Sequence, residues 1–175
     1  MQSKPRTDNL LPELENLIAA SESGLDNSYE ESIKNVMVEI SKSRKGDQRE
    51  SLPGQWELIF TTEKEVNFFK TSWPFAKVSL IRQKLDLTEE CTVNNIIAFE
   101  GGAEFAVTGS ANIVDGEDEY DRVGFEFTSA SALVWGKEIP LPPLGTGWFD
   151  TMFCDGNLRL SRDSRGDWSV FRRIE

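Results

Sequence analysis

The chain has 175 residues, a net charge of −11 and no histidine. Its length fits a single domain, and 38% hydrophobic with 28% charged residues is typical of a soluble globular protein. The negative charge argues against binding to nucleic acid or to an anionic membrane surface, and the lack of histidine excludes His-based triads and His metal ligands.

Two amphipathic helices are expected before residue 52. The first can be capped by Asp8 or Asn9 and should end near residues 21–24. The second should begin at a capping box formed by Ser28 and Glu31. Apolar residues recur at helical spacing in both segments: Leu10, Leu14, Leu17 and Ile18, then Ile33, Val36, Met37 and Ile40. We therefore assign residues 1–51 to an N-terminal helical segment of the same domain.

The pattern changes to an alternation of two at Trp56. Residues 52–54 are turn chemistry, because proline fixes φ and glycine permits a tight reversal. In the strand that follows, Trp56, Leu58 and Phe60 share one face. A Gly-x-Trp sequence at the start of a first strand is also how lipocalin-type barrels begin. Residues 52–175 are therefore expected to form a barrel.

Further strands are expected over residues 78–87, 92–99, 104–114, 120–128, 148–154, 158–162 and 168–172. Short turns join most of them, which favours an antiparallel arrangement that closes on itself. The proline-rich residues 139–145 should form an extended connector, since proline donates no ladder hydrogen bond. The fold class is thus mainly β with N-terminal helices: an antiparallel lipocalin-like β-barrel of about eight strands preceded by two α-helices.

The alternation also predicts which side chains line the barrel. We expect inward positions, as candidate ligand contacts, for Trp56, Leu58, Phe60, Phe105, Val107, Val123, Phe125, Phe127 and Trp148. Trp56 can meet Arg172 or Arg173 in a cation–π contact if the first and last strands pair. The alternative is that these arginines are solvent-facing charges and that the aromatic residues are ordinary core.

An aromatic segment follows the first of these strands. It contains Phe68, Phe69, Trp73 and Phe75 within a few residues, and Pro74 interrupts any regular element. We interpret it as a lid or membrane-contacting loop at the barrel mouth. The alternative is that these rings complete the core.

No catalytic or metal-binding set is apparent. Cys91 and Cys154 form no metal motif and are expected to be free thiols. The acidic turn at residues 115–119 lacks the spacing of a calcium loop. Asp150 and Asp155, five residues apart, would point to opposite faces of a strand and so form no acid–base pair. We expect no metal, no cofactor and no catalytic residue.

Two stretches carry a resemblance to a known family. Residues 52–62 are similar to the first-strand motif of the plastid lipid-associated proteins, also called plastid fibrillins. Residues 147–155 and 158–167 resemble that family's other signature. The resemblance implies a chloroplast or plastid protein of plastoglobules, thylakoids or stroma, with a lipocalin-like barrel for carotenoids, quinones, tocopherols or fatty acids. No transit peptide is visible at residues 1–9, and we expect that any in a precursor has been removed.

Two functions from different classes follow. The first is a lipid-binding barrel whose partner is a small hydrophobic ligand or a plastid lipid surface. The alternative is a non-catalytic structural or adaptor protein that coats plastid lipid bodies or holds partner proteins, which the sequence does not identify. Nucleic acid is not expected as a partner, and enzymatic activity ranks third. An apolar cavity of a few hundred Å³ would favour the first function, and a filled interior the second.

Overall fold

The computed structural model describes residues 7–22, 24–114, 120–143 and 145–174. Its helices are α1 (Thr7–Ala20), α2 (Glu30–Ser41) and α3 (Lys64–Thr71). Its strands are β1 (Gly54–Thr61), β2 (Val78–Asp86), β3 (Thr92–Phe99), β4 (Glu104–Val114), β5 (Asp121–Val134), β6 (Lys137–Leu141), β7 (Thr146–Cys154), β8 (Leu158–Asp163) and β9 (Trp168–Ile174). Single 3-10 turns lie at Asn27–Tyr29 and Arg49–Ser51.

Eight strands form a closed antiparallel barrel in the order β4-β3-β2-β1-β9-β8-β7-β5, and β5 pairs back with β4. The first and last strands meet, with Trp56 opposite Arg173. The first part of β5 pairs with β7, and its last part, from Ala130, pairs with β6. The predicted barrel with N-terminal helices is confirmed. A third helix, α3, lies between β1 and β2 rather than before the barrel.

The two ends of the barrel differ. Because neighbouring strands are antiparallel, β1 runs from an end that holds Trp56 to an end that holds α3. We call these the Trp56 end and the α3 end. The β8–β9 turn and the start of β7 also lie at the α3 end, while the β7–β8 turn lies at the Trp56 end.

Helices α1 and α2 pack on the outside of the barrel. Their apolar stripes meet the outward faces of β1, β7, β8 and β9 in one cluster, the outer cluster. Its helical members include Leu10, Leu14, Ile18, Ile33, Met37 and Ile40. The expected capping box is not formed, because a 3-10 turn precedes α2. The backbone N–H of Ser28 donates instead to the Asp26 carboxylate at 2.9 Å, and Tyr29 occupies the cap position of α2.

One expectation about β1 is wrong, since Phe60 faces outward. The pairing with β9 skips Ile59: Leu58 lies opposite Phe171, and Phe60 lies opposite the residue before it. This β-bulge adds one residue and reverses the alternation after it. Ile59 and Phe60 therefore join the outer cluster, whereas Trp56 and Leu58 remain inside.

The proline-rich connector is partly a strand. Pro140 lies in β6, opposite Ser131 of β5. Strand β6 is at the edge of the sheet, where proline is tolerated because one side of the strand has no ladder partner. Leu144, within the expected connector, and the acidic turn at residues 115–119 lie outside the described residues.

The helices of the described chain are all too short or too polar to cross a bilayer.

Candidate functional site

The Trp56 indole closes one end of the barrel. Its side chain is fully buried, and its Nε1 donates to the Leu52 carbonyl oxygen at 2.9 Å. The Arg173 guanidinium lies over the ring, with 4.3 Å between the guanidinium carbon and the ring centroid. Arg172 faces outward instead, and its Nη2 lies 3.5 Å from the Glu15 carboxylate of α1. The structure therefore gives the cation–π contact to Arg173.

Arg173 also joins the chain segments at this end. Its guanidinium donates to the carbonyl oxygens of Ser51 at 2.6 Å and Pro53 at 3.0 Å, and to that of Gly156. Gly54 has a φ of +140°, and a Cβ at this position would overlap Nη1 of Arg173. The Gly-x-Trp spacing thus leaves room for the arginine that covers the indole.

A second arginine, Arg159 of β8, lies inside the barrel beside the same indole. It is fully buried. Its guanidinium carbon is close to three ring centroids, those of Phe171 (4.1 Å), Trp56 (5.0 Å) and Phe149 (5.2 Å). Burial lowers the pKa of Arg159 to about 9, because the charged form loses its hydration. The side chain is therefore still cationic at pH 7, although it is out of water.

Most of the donors on Arg159 are unfilled. Its Nη2 donates to Gln83 Oε1 at 2.5 Å, and Gln83 Nε2 donates in turn to Asn95 Oδ1 at 3.0 Å. Its Nε and Nη1 are buried with no acceptor among the described residues. Buried polar groups in proteins nearly always have a hydrogen-bond partner. Two orphaned nitrogens on one buried cation therefore call for an explanation.

A cavity of about 450 Å³ extends from Arg159 to the α3 end. Its apolar wall is formed by Val93, Phe125, Phe127, Phe149 and Phe171. Two of these rings, Phe125 and Phe127, are stacked at a tilt with centroids 5.1 Å apart. The polar wall contains Gln83, Asn95, Arg159, Ser161 and Ser169. The volume lies within the ~300–1,000 Å³ of small-molecule sites.

A row of hydroxyl groups crosses the interior from β7 to β1. The ladder pairs Thr151 with Ser161, Ser161 with Ser169, and Ser169 with Thr61. The Thr61 and Ser169 hydroxyls share a hydrogen bond of 2.9 Å. Those of Thr151 and Ser161 are buried with no partner in the described part of the chain. Ser161 and Arg159 lie two apart on β8 and so present unfilled groups to the same face.

The mouth of the cavity is acidic and is bridged by Arg165 of the β8–β9 turn. Arg165 Nη2 lies 3.1 Å from Glu63 Oε2, and Nη1 lies 3.0 Å from Glu65 Oε1. Burial and the carboxylates of Asp163 and Asp167 raise the pKa of Glu63 to about 7, although Arg165 opposes this shift. The bridge thus ties the beginning of α3 to the mouth, and Glu63 is partly protonated near neutral pH.

The aromatic segment is not the loop we expected, because α3 covers residues 64–71 and Pro74 follows the helix. Two of its rings, Phe69 and Trp73, pack against the barrel. The centroid of Phe105 lies 5.7 Å from each of them, and Phe99 contacts both. For this pair the alternative interpretation, completion of a core, describes the packing.

The other two rings point away from the barrel. Phe68 is 48% exposed and Phe75 is 82% exposed. Trp135, in the turn between β5 and β6, is 97% exposed. That turn lies at the same end, because Leu133 pairs with Glu104 at the start of β4. The α3 end therefore presents three large apolar side chains to solvent beside the acidic mouth.

Comparison with known proteins identifies the family of this chain. A family model described as PAP_fibrillin matches residues 13–172. The chain belongs to the plastid lipid-associated protein (PAP)/fibrillin family. The resemblance seen at residues 52–62 and 147–167 is thus confirmed.

One relative is the Arabidopsis thaliana protein described as "Probable plastid-lipid-associated protein 11, chloroplastic". It is 34% identical over 126 residues, which are 71% of this chain and 57% of the relative. The chain thus matches less than two thirds of the length of this PAP/fibrillin relative. No solved structure matches the chain.

In this family member the residues predicted to line the barrel divide into groups. Five lie in the interior cluster or pack against it: Trp56, Leu58, Val123, Phe125 and Phe127. Phe105 contacts the α3 rings, and Val107 is half-buried opposite Asn95. The prediction that Trp148 faces inward is wrong. Its ring faces outward under the Arg122 guanidinium, whose carbon is 3.7 Å from the ring centroid. Its neighbour Phe149 takes the inward position.

Sequence reasoning missed Arg159. It stands between Leu158 and Leu160, so alternation alone favours inward leucines and an outward arginine. The structure has the reverse arrangement, because both leucines pack beneath α1 and α2 in the outer cluster. The signal that could have found it is the pair of amphipathic helices, since their apolar stripes require apolar strand faces outside the barrel.

Metal binding has no support in the described residues, where no three Cys, Asp or Glu side chains are grouped to hold an ion. Cys91 and Cys154 are free thiols.

Proposed function

We propose that this PAP/fibrillin protein binds or carries one small lipophilic molecule inside its barrel, without catalysis. The observation that carries the proposal is the cavity of about 450 Å³, whose wall includes Phe125, Phe127 and Phe149. Such a cavity combines apolar area for affinity with a few polar groups for orientation. Carotenoids, quinones, tocopherols and fatty acids are the ligand classes to be tested.

The proposed site of action is the plastid, at plastoglobules or thylakoids. The support is family membership together with the description of the Arabidopsis thaliana relative as chloroplastic. The alternative, a structural or adaptor protein that coats lipid bodies, needs no internal space. The cavity therefore favours a ligand-binding protein over a purely structural one.

We further propose that the α3 end contacts a lipid surface. Phe68, Phe75 and Trp135 are exposed there, and aromatic rings partition favourably into the membrane interface. A protein with a net charge of −11 gains nothing from anionic headgroups, so apolar insertion is the expected mode. Docking by this end would bring the mouth of the cavity to the lipid from which a ligand is taken.

A neutral fluorescent dye, Nile red, tests the barrel as the binding site. We expect the wild-type protein to bind about one dye molecule, with competition from plastid lipid extracts. Ser161→Phe places a ring in the cavity and should weaken dye binding by at least about tenfold. Arg162→Phe adds the same ring to the exposed outer face of β8 and is the matched control.

Thermal melting of both variants checks that they are folded. Equal dye affinity in wild type and a folded Ser161→Phe variant would place the dye outside the cavity and overturn the proposal. Lack of dye binding by the wild type would also overturn it. Mass spectrometry of lipids co-purified from native plastids would then identify the natural ligand.

A further inference from the structure

Among the described residues, no carboxylate lies against the Arg159 guanidinium. Its electrostatic surroundings comprise the Cys154 thiol and a second cation, Arg173, with no carboxylate from the described residues. The nearest acidic side chain on its own strand is Asp163, four residues or about 13 Å away along β8. A buried cation is normally paired or hydrogen-bonded on every side. Arg159 has one hydrogen bond, to Gln83, and no carboxylate partner among the described residues, although it forms part of the cavity wall.

Stability alone does not explain a charge at this position. An apolar side chain of similar length would fill the same space between Trp56, Phe149 and Phe171 without loss of hydration. The unfilled groups belong to neighbouring inward positions of β8. Nε, Nη1 and the Ser161 hydroxyl are unfilled, and both residues line the cavity. These donors therefore form a partial anion site that the chain does not complete.

We propose that Arg159 binds the carboxylate of an amphipathic ligand, with the apolar body of that ligand along Phe125, Phe127 and Phe149 toward the mouth. The inference rests on the proposed function and narrows it to long-chain carboxylic acids. An unfilled N–H of the guanidinium donates to the carboxylate, and Ser161 provides a further donor. Gln83 remains bonded to Nη2 and, through Asn95, holds the guanidinium in place.

A charged headgroup fits this site better than a neutral one. A quinone or tocopherol oxygen can accept one hydrogen bond from Arg159, but it leaves the buried positive charge uncompensated. A water molecule can likewise accept a hydrogen bond, but it carries no negative charge to compensate Arg159. A carboxylate supplies the acceptors and the opposite charge together, and such charge-assisted bonds are about twice as strong as neutral ones. Arg173, on the other side of this end, adds to the positive potential.

The test compares a fluorescent fatty acid, cis-parinaric acid, with its methyl ester. The two share one apolar chain and differ in the charge of the headgroup. We expect the wild-type protein to bind the acid at least about tenfold more tightly than the ester. Arg159→Met should remove this preference by weakening acid binding while ester binding is retained. Arg162→Met, on the opposite face of the same strand, should keep the wild-type preference.

Arg159→Lys retains the charge and gives a second variant in case the methionine variant does not fold. It should keep part of the preference, since an ammonium attracts a carboxylate but cannot reproduce the guanidinium geometry. Equal affinity of the wild type for acid and ester would overturn the inference. So would an unchanged preference in folded Arg159→Met. Either result would leave the proposed function standing, whereas failure to bind both ligands and Nile red would overturn that function as well.

Discussion

Arg159 and Arg173 approach the ring of Trp56 from neighbouring strands, with guanidinium carbons 5.0 and 4.3 Å from its centroid. Arg173 donates to three backbone carbonyl oxygens. Within the described part of the chain, Arg159 donates to one side-chain oxygen and has two unfilled nitrogens. One arginine therefore closes the barrel, and the other faces its cavity. Replacement by methionine should therefore lower the free energy of unfolding at Arg173 and should not lower it at Arg159.

Arg173→Met should destabilise the protein by about 2–4 kcal/mol. The change leaves the carbonyl oxygens of Ser51, Pro53 and Gly156 without the charged donor that joins them. Urea unfolding measures the difference in free energy. A loss below about 0.5 kcal/mol would show that water replaces the guanidinium at no cost and that Arg173 does not hold this end together.

Arg159→Met should leave the lipid-free protein as stable as the wild type, or more stable by up to ~2 kcal/mol. The substitution removes a buried, unpaired charge and retains most of the side-chain volume. The bond to Gln83 is lost, which limits the gain. The comparison uses delipidated protein in the same urea titration. A loss of 3 kcal/mol or more, on the scale of ~3–5 kcal/mol for a broken buried ion pair, would indicate that Arg159 has a structural partner.

Trp56→Ala should cost ~3–5 kcal/mol, because it removes a fully buried ring and leaves a cavity. The Leu52 carbonyl loses its donor, and both arginines lose a ring contact. A large fall in melting temperature is the expected result. A shift of only a degree or so would show that the Trp56 end repacks around the smaller side chain.

Liposome flotation tests the α3 end as the lipid contact. The double change Phe68→Ser and Phe75→Ser removes two exposed rings, so we expect a folded protein with reduced flotation at both low and high salt. Phe69→Ser with Trp73→Ser is the contrasting pair, since these rings pack on Phe105. This second double substitution should mainly lower the stability of the fold. Wild-type flotation of the first variant would exclude Phe68 and Phe75 as the anchor.

The titration of Glu63 should be visible in the pH dependence of stability. Its pKa in the folded protein is raised from the ordinary value of 4.5 to about 7. Between these values the folded state binds more protons than the unfolded state, so this group's contribution to stability falls as pH rises from about 4.5 to about 7. The Glu63→Gln variant lacks this titration. Its stability relative to wild type should therefore increase over that range, by ~1–2 kcal/mol after allowance for partial exposure.

Glu65→Gln is the matched control for that experiment. Glu65 contacts the same arginine, Arg165, but its side chain is 67% exposed. The stability gain of Glu63→Gln from pH 5 to pH 7 should exceed that of Glu65→Gln by about 1 kcal/mol. Equal gains for the two variants would show that Arg165 keeps Glu63 ionised over this range.

The sequence predicts the barrel well because strand alternation and turn residues are local signals. The same reasoning brings Trp56 to the last strand but leaves Arg172 and Arg173 open, and the structure selects Arg173. The face of Phe60 could not be predicted, since a one-residue bulge depends on how β1 fits β9 and on the helices outside. Trp148 was assigned to the inner face because a large aromatic ring usually packs in a core. In the structure this ring packs on the outer face, against the Arg122 guanidinium.

The candidate site was harder to predict than the fold. Phe125 and Phe127 were found because apolar alternation marks them. Arg159 was not, because a charged residue between two leucines indicates an exposed position unless the outer face is known to be covered. Glu63 and Arg165 meet only through the fold, across 102 positions of sequence. A cavity is a property of what the side chains leave unfilled, and no local pattern encodes it.

The bulge at Ile59 gives the outer face of β1 two neighbouring apolar side chains. Trp56 and Leu58 belong to the interior cluster, and Ile59 and Phe60 face the helices, so one strand serves two separate cores. Removal of Ile59 would restore regular pairing, with Leu58 still opposite Phe171 and Phe60 still opposite Val170. A single deletion at this position would thus take one apolar side chain from beneath α1 and α2 and leave the ligand space unchanged.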